Sequence, residues 1–178
     1  MTETSKKPAI QYITASILVG VLVVLDQMTK YLAIAKLKDK DPFVIIDGVF
    51  ELNYLENRGM AFGMLQNKQI LFFILGIVIL AALVFYYIRV PNTKRMKPIR
   101  GVMIVIAAGA IGNMIDRLLL GYVVDFFYFK LINFPIFNVA DIYVVVGIFL
   151  IAFMIFFFYK EDELSFIFGE ADKKKNME

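Results

Sequence analysis

Long uncharged apolar blocks alternate with polar segments along the chain. Each of four blocks could form most of a membrane-spanning helix. The first and the third are short for a span unless their helices continue past the acid that follows. The blocks are Ile10–Leu25, Ile70–Ile88, Gly101–Ile115 and Ile142–Tyr159. The pattern predicts an integral membrane protein, mainly α-helical, with four transmembrane helices.

These blocks define a single predicted membrane-embedded domain that covers residues 1–178. The segments between the first and second spans and between the third and fourth would lie outside the cytoplasm. The predicted spans are about 10–27, 69–89, 100–118 and 140–160, the extracytoplasmic segments are 28–68 and 119–139, and the tail predicted to be disordered is about 165–178.

The first outer segment contains a β-type pattern. The stretch "FVIIDGVFELNYLEN" reads as two short strands on either side of Asp47-Gly48, a pair that is common in tight hairpins. We therefore expect a small extracytoplasmic β-sheet that lies on the membrane surface.

Lys and Arg residues predict the orientation. The connection between the second and third blocks, "RVPNTKRMKPIR", holds five of them, Lys6 and Lys7 precede the first block, and Lys160 follows the fourth. Because short cytoplasmic loops are enriched in Lys and Arg, both termini and this connection are predicted to be cytoplasmic, in a protein that crosses the membrane several times.

Composition narrows the possible chemistry. The 178 residues are 60% hydrophobic and carry a net charge of +3, with neither Cys nor His. The absence of these two residue types excludes a disulfide framework, a thiol nucleophile and the usual zinc ligands. The charge is too weak to indicate a nucleic-acid partner, and no acidic cluster has the spacing of metal ligands. We expect no cofactor, and chemistry based on carboxylates is the main possibility.

Acidic residues lie at similar depths in the predicted membrane. Asp26 is 19 residues from Lys7, and Asp141 is 19 residues from Lys160. A helix rises about 1.5 Å per residue, so each acid lies roughly 28 Å from its cytoplasmic anchor. The apolar part of a bilayer is about 30 Å thick, which places both acids near its outer boundary.

Two more acids fall in the same layer. Asp116 is 16 residues from Arg100, roughly 24 Å along a helix. Asp125 lies in "YVVDFFYF", within the short connection between the third and fourth blocks. Acids at membrane depth are costly and usually functional, so four Asp residues in one outer layer indicate a functional site.

Each of these acids also has a simpler explanation. Asp26 and Asp116 could mark helix ends, and Asp141 could complete an N-terminal cap with Asn138. Arg117 could extend its side chain toward the interface. Asp125 has no evident cap or ion-pair partner in its local sequence, and its neighbours are apolar.

Two carboxylates held together away from water can act as an acid–base pair. One keeps its proton because both cannot ionise easily. The ionised acid activates a water, and the protonated one donates to the carbonyl oxygen or the leaving amine. Serine is absent from the acidic layer, and a hydroxyl–lysine arrangement at Thr29-Lys30 is a weaker alternative.

Five motifs in order resemble those of bacterial lipoprotein signal peptidase (signal peptidase II), an integral-membrane aspartic endopeptidase. They extend from the first predicted helix to the start of the fourth. The motifs are "DQMTK" (Asp26–Lys30), "NYLENRGMAFG" (Asn53–Gly63), "GAIGNMIDR" (Gly109–Arg117), "GYVVDF" (Gly121–Phe126) and "FPIFNVAD" (Phe134–Asp141).

The resemblance implies that Asp125 and Asp141 are the catalytic pair. It implies that the enzyme cleaves prolipoproteins just before a Cys that already carries diacylglycerol, lies in the bacterial cytoplasmic (inner) membrane, and has a short interfacial helix beside its sheet. We expect it to be a monomer in the lipid bilayer. The residues that would bind substrate or support the site are Asn53, Asn113, Arg117, Asn138, Asp116, Asp26, Lys30 and Gly59.

Two other functional classes remain open from the residues alone. A small proton-coupled transporter would also contain intramembrane acids, although these usually lie near the bilayer midplane, whereas here they lie to one side. A non-catalytic membrane scaffold would tolerate Asp→Asn changes at both predicted catalytic positions.

Overall fold

The computed structural model describes residues 6–59 and 69–164. Within these ranges, four helices are long and apolar enough to cross a membrane, which confirms the predicted class. They are α1 (Lys6–Leu37), α2 (Gln69–Arg89), α3 (Lys97–Leu119) and α4 (Val139–Phe153), the last continuing as a π-helical turn, Met154–Phe158. The tail predicted to be disordered lies outside the described residues.

Both short blocks continue past their acids, as the predicted spans require. The helix α1 runs through Asp26 to Leu37, and α3 runs through Asp116 to Leu119. The last turns of α1 have a structural reason to persist, because Ala33 and Leu37 are one turn apart and pack in a buried cluster with Val124 and Phe126.

A three-stranded antiparallel sheet packs on this end of α1. Its strands, in the order β1-β2-β3, are β1 (Phe43–Ile46), β2 (Phe50–Asn57) and β3 (Val123–Tyr128). The predicted hairpin is confirmed: the Val49 amide donates to the Ile46 carbonyl at 3.0 Å, and Gly48 has φ +67°. The strand β3 was not predicted, because apart from Asp125 its residues are apolar or aromatic on both faces, as is typical of a buried strand.

The chain before α4 pairs with the free side of β3. The Phe127 amide donates to the Phe137 carbonyl at 2.8 Å, and the Phe137 amide donates back at 3.1 Å. A single 3₁₀ turn, Lys130–Ile132, lies between these segments. This pairing places Asn138, the first residue after Phe137, beside the middle of β3. The short interfacial helix implied by the resemblance stays a prediction.

The helix α3 is central and contacts α1, α2 and α4. Glycines on α3 permit the close approach. A Cβ at Gly109 would lie 2.5 Å from the Ala140 carbonyl oxygen and 2.9 Å from Val144 Cγ2, so any side chain there would push α4 away. The first turn of α4 is thereby held against α3.

The helix bundle has two distinct ends. We call the end that carries the sheet the sheet end, and the end that carries the α2–α3 connection the loop end. A second apolar cluster closes the loop end. Its buried members are Val90, Met96, Ile99, Met103, Tyr159 and Leu164.

Candidate active site

Asp125 and Asp141 reach the sheet end from different elements. Asp125 is in the middle of β3, where the surrounding apolar residues leave only 1% of it exposed. Asp141 is in the first turn of α4. The pairing of β3 with Phe137 therefore brings Asp125 and Asp141 together although they are separated in the chain. Sequence patterns did not indicate this pairing.

Asn138 joins the two aspartates. Its Nδ2 donates to Asp125 Oδ1 at 2.6 Å, and its Oδ1 accepts from the Asp141 amide at 3.0 Å. The backbone N–H of Asn138 donates in turn to Asp141 Oδ2 at 3.2 Å, which completes a capping box at the start of α4. The predicted cap thus exists, and the same side chain also contacts Asp125, so the cap and the site are one structure.

Asn113 contacts Asp141 from α3. Its Nδ2 donates to Asp141 Oδ1 at 2.7 Å, and its Oδ1 accepts from Lys30 Nζ at 2.9 Å and from Asn138 Nδ2 at 3.1 Å. Because an ammonium group can only donate, Lys30 fixes which end of this amide faces Asp141.

Asn57 contacts Asp125 from the end of β2. Its Nδ2 donates to Asp125 Oδ2 at 2.8 Å, while its Oδ1 accepts from the Gly59 amide at 3.0 Å. The role of Gly59 is therefore to fix the orientation of this amide. Asn57 lies within the motif Asn53–Gly63 but was not among the predicted site residues.

Asn53 is placed differently. It lies in the irregular part of β2, between Leu52 and Leu55, where the register with β3 shifts. Among the described residues its side chain makes no hydrogen bond to either aspartate. Side chains alternate between the two faces of a strand. Asn57 could therefore be assigned to the face that carries Asp125 only once β3 and its register with β2 were known.

Arg117 lies beside the pair on α3. Its Nη1 donates to the Asn113 carbonyl at 3.2 Å, and its guanidinium lies 5.3 Å from the ring centre of Phe72. Its buried Nε has no hydrogen-bond partner in the part of the chain that the structure describes. A buried donor without a partner is costly, and here it would be available to a ligand.

Asp26, Lys30 and Asp116 form a buried ion cluster between α1 and α3. Lys30 Nζ lies 3.0 Å from Asp26 Oδ2 and 2.9 Å from Asp116 Oδ2. Through Asn113 and Asn138 this cluster is continuous with Asp125 and Asp141, so all four predicted acids belong to one network. Thr29 takes no part in it, because its hydroxyl donates to the Asp26 carbonyl of its own helix at 2.7 Å.

Burial, followed by the negative charge of Asp141, raises the pKa of Asp125 to about 7. Hydrogen bonds from Asn57 and Asn138 and the charge of Lys30 oppose the shift but do not overcome it. A carboxyl group with this pKa can hold a proton near neutral pH and also release it. No group of three or more His, Cys, Asp or Glu side chains in the described ranges could hold a metal ion.

The sequence is similar to those of known proteins. A family model described as Signal peptidase (SPase) II matches residues 18–157. A lipoprotein signal peptidase of Clostridioides difficile (strain 630) is 45% identical over 145 residues, covering 79% of this chain and 94% of that protein. One of Caldanaerobacter subterraneus subsp. tengcongensis is 43% identical over 144 residues, covering 80% and 96%.

The fold is also similar to that of solved structures. One, described as a bacterial membrane enzyme determined by the in meso method at 2.3 Å resolution, has a TM-score of 0.71 and 35% identity, and the match covers 80% of this chain and 87% of that chain. A second, described in the same words at 1.9 Å resolution, has a TM-score of 0.70 and 34% identity, covering 82% and 94%.

Proposed function

This chain belongs to the signal peptidase II family, and we propose that Asp125 and Asp141 are the acid–base pair with which it cleaves its substrate. It is an aspartic peptidase of the bacterial membrane that removes signal peptides from prolipoproteins. The observation that carries the proposal is the single amide, Asn138, that hydrogen-bonds both aspartates inside a buried polar network.

The pair works with one proton between its two carboxyl groups. The ionised carboxylate removes a proton from a water, whose oxygen attacks the scissile carbonyl carbon. The protonated carboxyl donates to the carbonyl oxygen, which gives a tetrahedral intermediate. When the C–N bond breaks, the carboxyl that took the proton from water passes it to the leaving amine, and the other carboxylate takes a proton back from a hydroxyl of the intermediate as the product carbonyl forms. We treat the pH dependence as a property of the pair, because coupled groups share their apparent pKa values.

The amides around the pair hold the carboxyl groups for this chemistry. Asn57 and Asn138 each donate to one oxygen of Asp125, and Asn113 and the Asn138 backbone each donate to one oxygen of Asp141. Each oxygen keeps a lone pair for water or a proton. The Nε donor of Arg117, which has no partner among the described residues, is suited to a carbonyl group of the bound peptide.

The substrate would present its scissile bond at the outer surface of the membrane. We propose that the bond lies just before a Cys that carries diacylglycerol, whose acyl chains stay in the lipid and keep the bond at that depth. Support comes from the position of the pair at the sheet end, roughly one bilayer thickness along the helices from the basic α2–α3 connection. With this orientation both termini are cytoplasmic.

We further propose that the enzyme is active as a monomer. Among the described residues, the side chains of Asn57, Asn113 and Asn138 and the Asn138 backbone give each carboxyl oxygen of the pair a hydrogen bond, which supports a pair that functions within one chain. Size analysis of active enzyme in detergent micelles would test this, and activity confined to a dimer fraction would contradict it.

The catalytic assignment is tested with Asp125→Asn and Asp141→Asn in purified enzyme supplied with a lipidated prolipoprotein. Each change removes an ionisable group and keeps the side-chain shape, so we expect turnover to fall at least about a thousandfold. Asp47→Asn is the matched control, because this exposed residue is in the hairpin turn, where Asn-Gly is equally suitable.

Normal cleavage by either variant, correctly inserted, would refute the pair. Orientation has its own test, because the chain has no Cys. A single Asp47→Cys variant should react with a membrane-impermeant maleimide in intact cells, whereas Lys94→Cys should react only after lysis. The reverse pattern would contradict the proposed orientation.

A further inference from the structure

The ion cluster between α1 and α3 reaches the backbone immediately before each proposed catalytic residue. Asp26 Oδ1 accepts from the Ala140 amide at 2.9 Å, and Asp116 Oδ2 accepts from the Val124 amide at 3.1 Å. Ala140 immediately precedes Asp141, and Val124 immediately precedes Asp125. The two supporting carboxylates therefore each hold the residue before one member of the pair.

The separation of those carboxylates depends on the groups between them. Lys30 bridges Oδ2 of Asp26 and Oδ2 of Asp116. Two buried carboxylates face one ammonium, so one negative charge has no cationic partner within the cluster. Without further donors, two buried carboxylates at this spacing would repel each other.

Gln27 supplies those donors. Its Nε2 lies 2.9 Å from Asp116 Oδ1, 3.1 Å from Asp26 Oδ2 and 3.2 Å from the Gly112 carbonyl oxygen. This amide is a second bridge between the same two carboxylates, parallel to Lys30 and without charge. It also attaches α1 to the backbone of α3.

We propose that Gln27 is a positioning residue for catalysis: by bridging Asp26 and Asp116 it sets the spacing between the backbone at Ala140 and the backbone at Val124, and hence between Asp141 and Asp125. The inference deepens the proposed function and rests on it. Gln27 hydrogen-bonds neither aspartate of the pair, so it acts through the supporting acids and not on the substrate.

The main test compares Gln27→Met with Gln11→Met in the full-length enzyme. Both changes remove an amide from α1 where it contacts α3, since Gln11 Oε1 accepts from Arg100 Nη2 at 3.3 Å. We expect Gln27→Met to lower kcat between about tenfold and a hundredfold, because a displacement of about 1 Å can have that effect. Its KM should stay within about twofold, and Gln11→Met should leave both constants unchanged.

A second measurement separates positioning from general stability. A peptide with a statine-type hydroxyl at the scissile position should bind Gln27→Met more weakly by about the same factor as kcat falls, because such a group needs the transition-state spacing of the acids. The thermal unfolding midpoints of Gln27→Met and Gln11→Met in micelles should fall by similar amounts.

Rescue provides a third measurement. Gln27→Lys places an ammonium between the two carboxylates and restores a donor bridge, so it should retain more kcat than Gln27→Met. Equal losses in both would overturn the proposal, as would unchanged kcat in Gln27→Met. A rise in KM alone would indicate substrate contact, and a loss of activity that follows a larger loss of thermal stability would indicate a merely structural role.

The results distinguish this inference from the function on which it depends. If Asp125→Asn and Asp141→Asn abolish cleavage while Gln27→Met is fully active, only the positioning role fails. If those two Asn variants cleave normally, the catalytic assignment itself fails.

Discussion

The contact between α1 and α3 holds a buried cation near each end of the bundle, and the two ends use it differently. At the loop end, Arg100 donates to the Tyr87 and Val90 carbonyls at 3.1 and 2.8 Å and to Gln11. These carbonyls belong to the last turn of α2 and the residue after it, so Arg100 completes a helix end.

At the sheet end, Lys30 instead pairs with two carboxylates that accept from the backbone next to Asp125 and Asp141. Both cations are buried and both have a Gln of α1 nearby. Burial of a charge therefore does not by itself indicate a catalytic site. The identity of the backbone atoms at the far end of the network decides whether the charge serves folding or chemistry.

Within the comparison of the two ends, the largest expected effect comes from Gly112→Ala at the sheet end. The new Cβ would collide with Asp26 Oδ2 and lie 3.4 Å from the Ala140 Cβ. Asp26 must then move, and the Ala140 amide with it, so kcat should fall about a hundredfold. Steady-state kinetics with a lipidated prolipoprotein would check this, and wild-type kcat in this variant would contradict the positioning role of the cluster.

Arg100→Met should lower the stability of the loop end without changing kcat. The buried Val90 carbonyl and the partly buried Tyr87 carbonyl lose their donor, which should lower the free energy of unfolding by about 1–3 kcal/mol. Denaturant titration in micelles measures this loss, and kcat of the folded fraction should equal that of the wild type. A fall in kcat with unchanged stability would show that the two ends are not functionally distinct.

Asn57→Ala should shift the pH profile and have a moderate effect on rate. The pKa of Asp125 is raised to about 7 by burial and by Asp141, and the hydrogen bond from Asn57 lowers it. Without that bond the pKa rises further, so the protonated form persists and the alkaline limb of kcat moves to higher pH. A shift to lower pH would contradict the assignment.

The same pKa predicts a pH dependence of stability in the wild type. The folded state keeps a proton on Asp125 that the unfolded chain releases above its ordinary pKa of about 4. The contribution of Asp125 to the free energy of unfolding is therefore fully present below about pH 4 and is lost as pH rises through about 7. Unfolding titrations at several pH values, compared with Asp125→Asn, would reveal this slope.

The smallest expected effect is that of Gly101→Ala, the control for Gly112→Ala on the same helix. A Cβ at Gly101 meets no heavy atom within 4 Å. Alanine there should stabilise the helix by about 0.5–1 kcal/mol and leave kcat unchanged. A large kinetic effect at this position would mean that α3 transmits any disturbance to the site, which would remove the contrast between the two ends.

The sequence by itself determined the four apolar helices, the hairpin at Asp47-Gly48 and the cap at Asn138, because each depends on residues close together in the chain. It also carried the motifs that indicated Asp125 and Asp141. Depth along a helix is set by a constant rise per residue, so the common layer of acids could be estimated without knowing how the helices pack.

Only the tertiary structure decided which amides face the acids. A shift in register within β2 separates Asn53 from Asn57, and one residue of shift in a strand turns a side chain to the other face. The strand β3 was not predicted because its residues, apart from Asp125, are apolar or aromatic on both faces. The contacts of Gln27 with Asp26 and Asp116 required the packing of α1 on α3, since a hydrogen bond depends on distances between atoms that the order of residues does not fix.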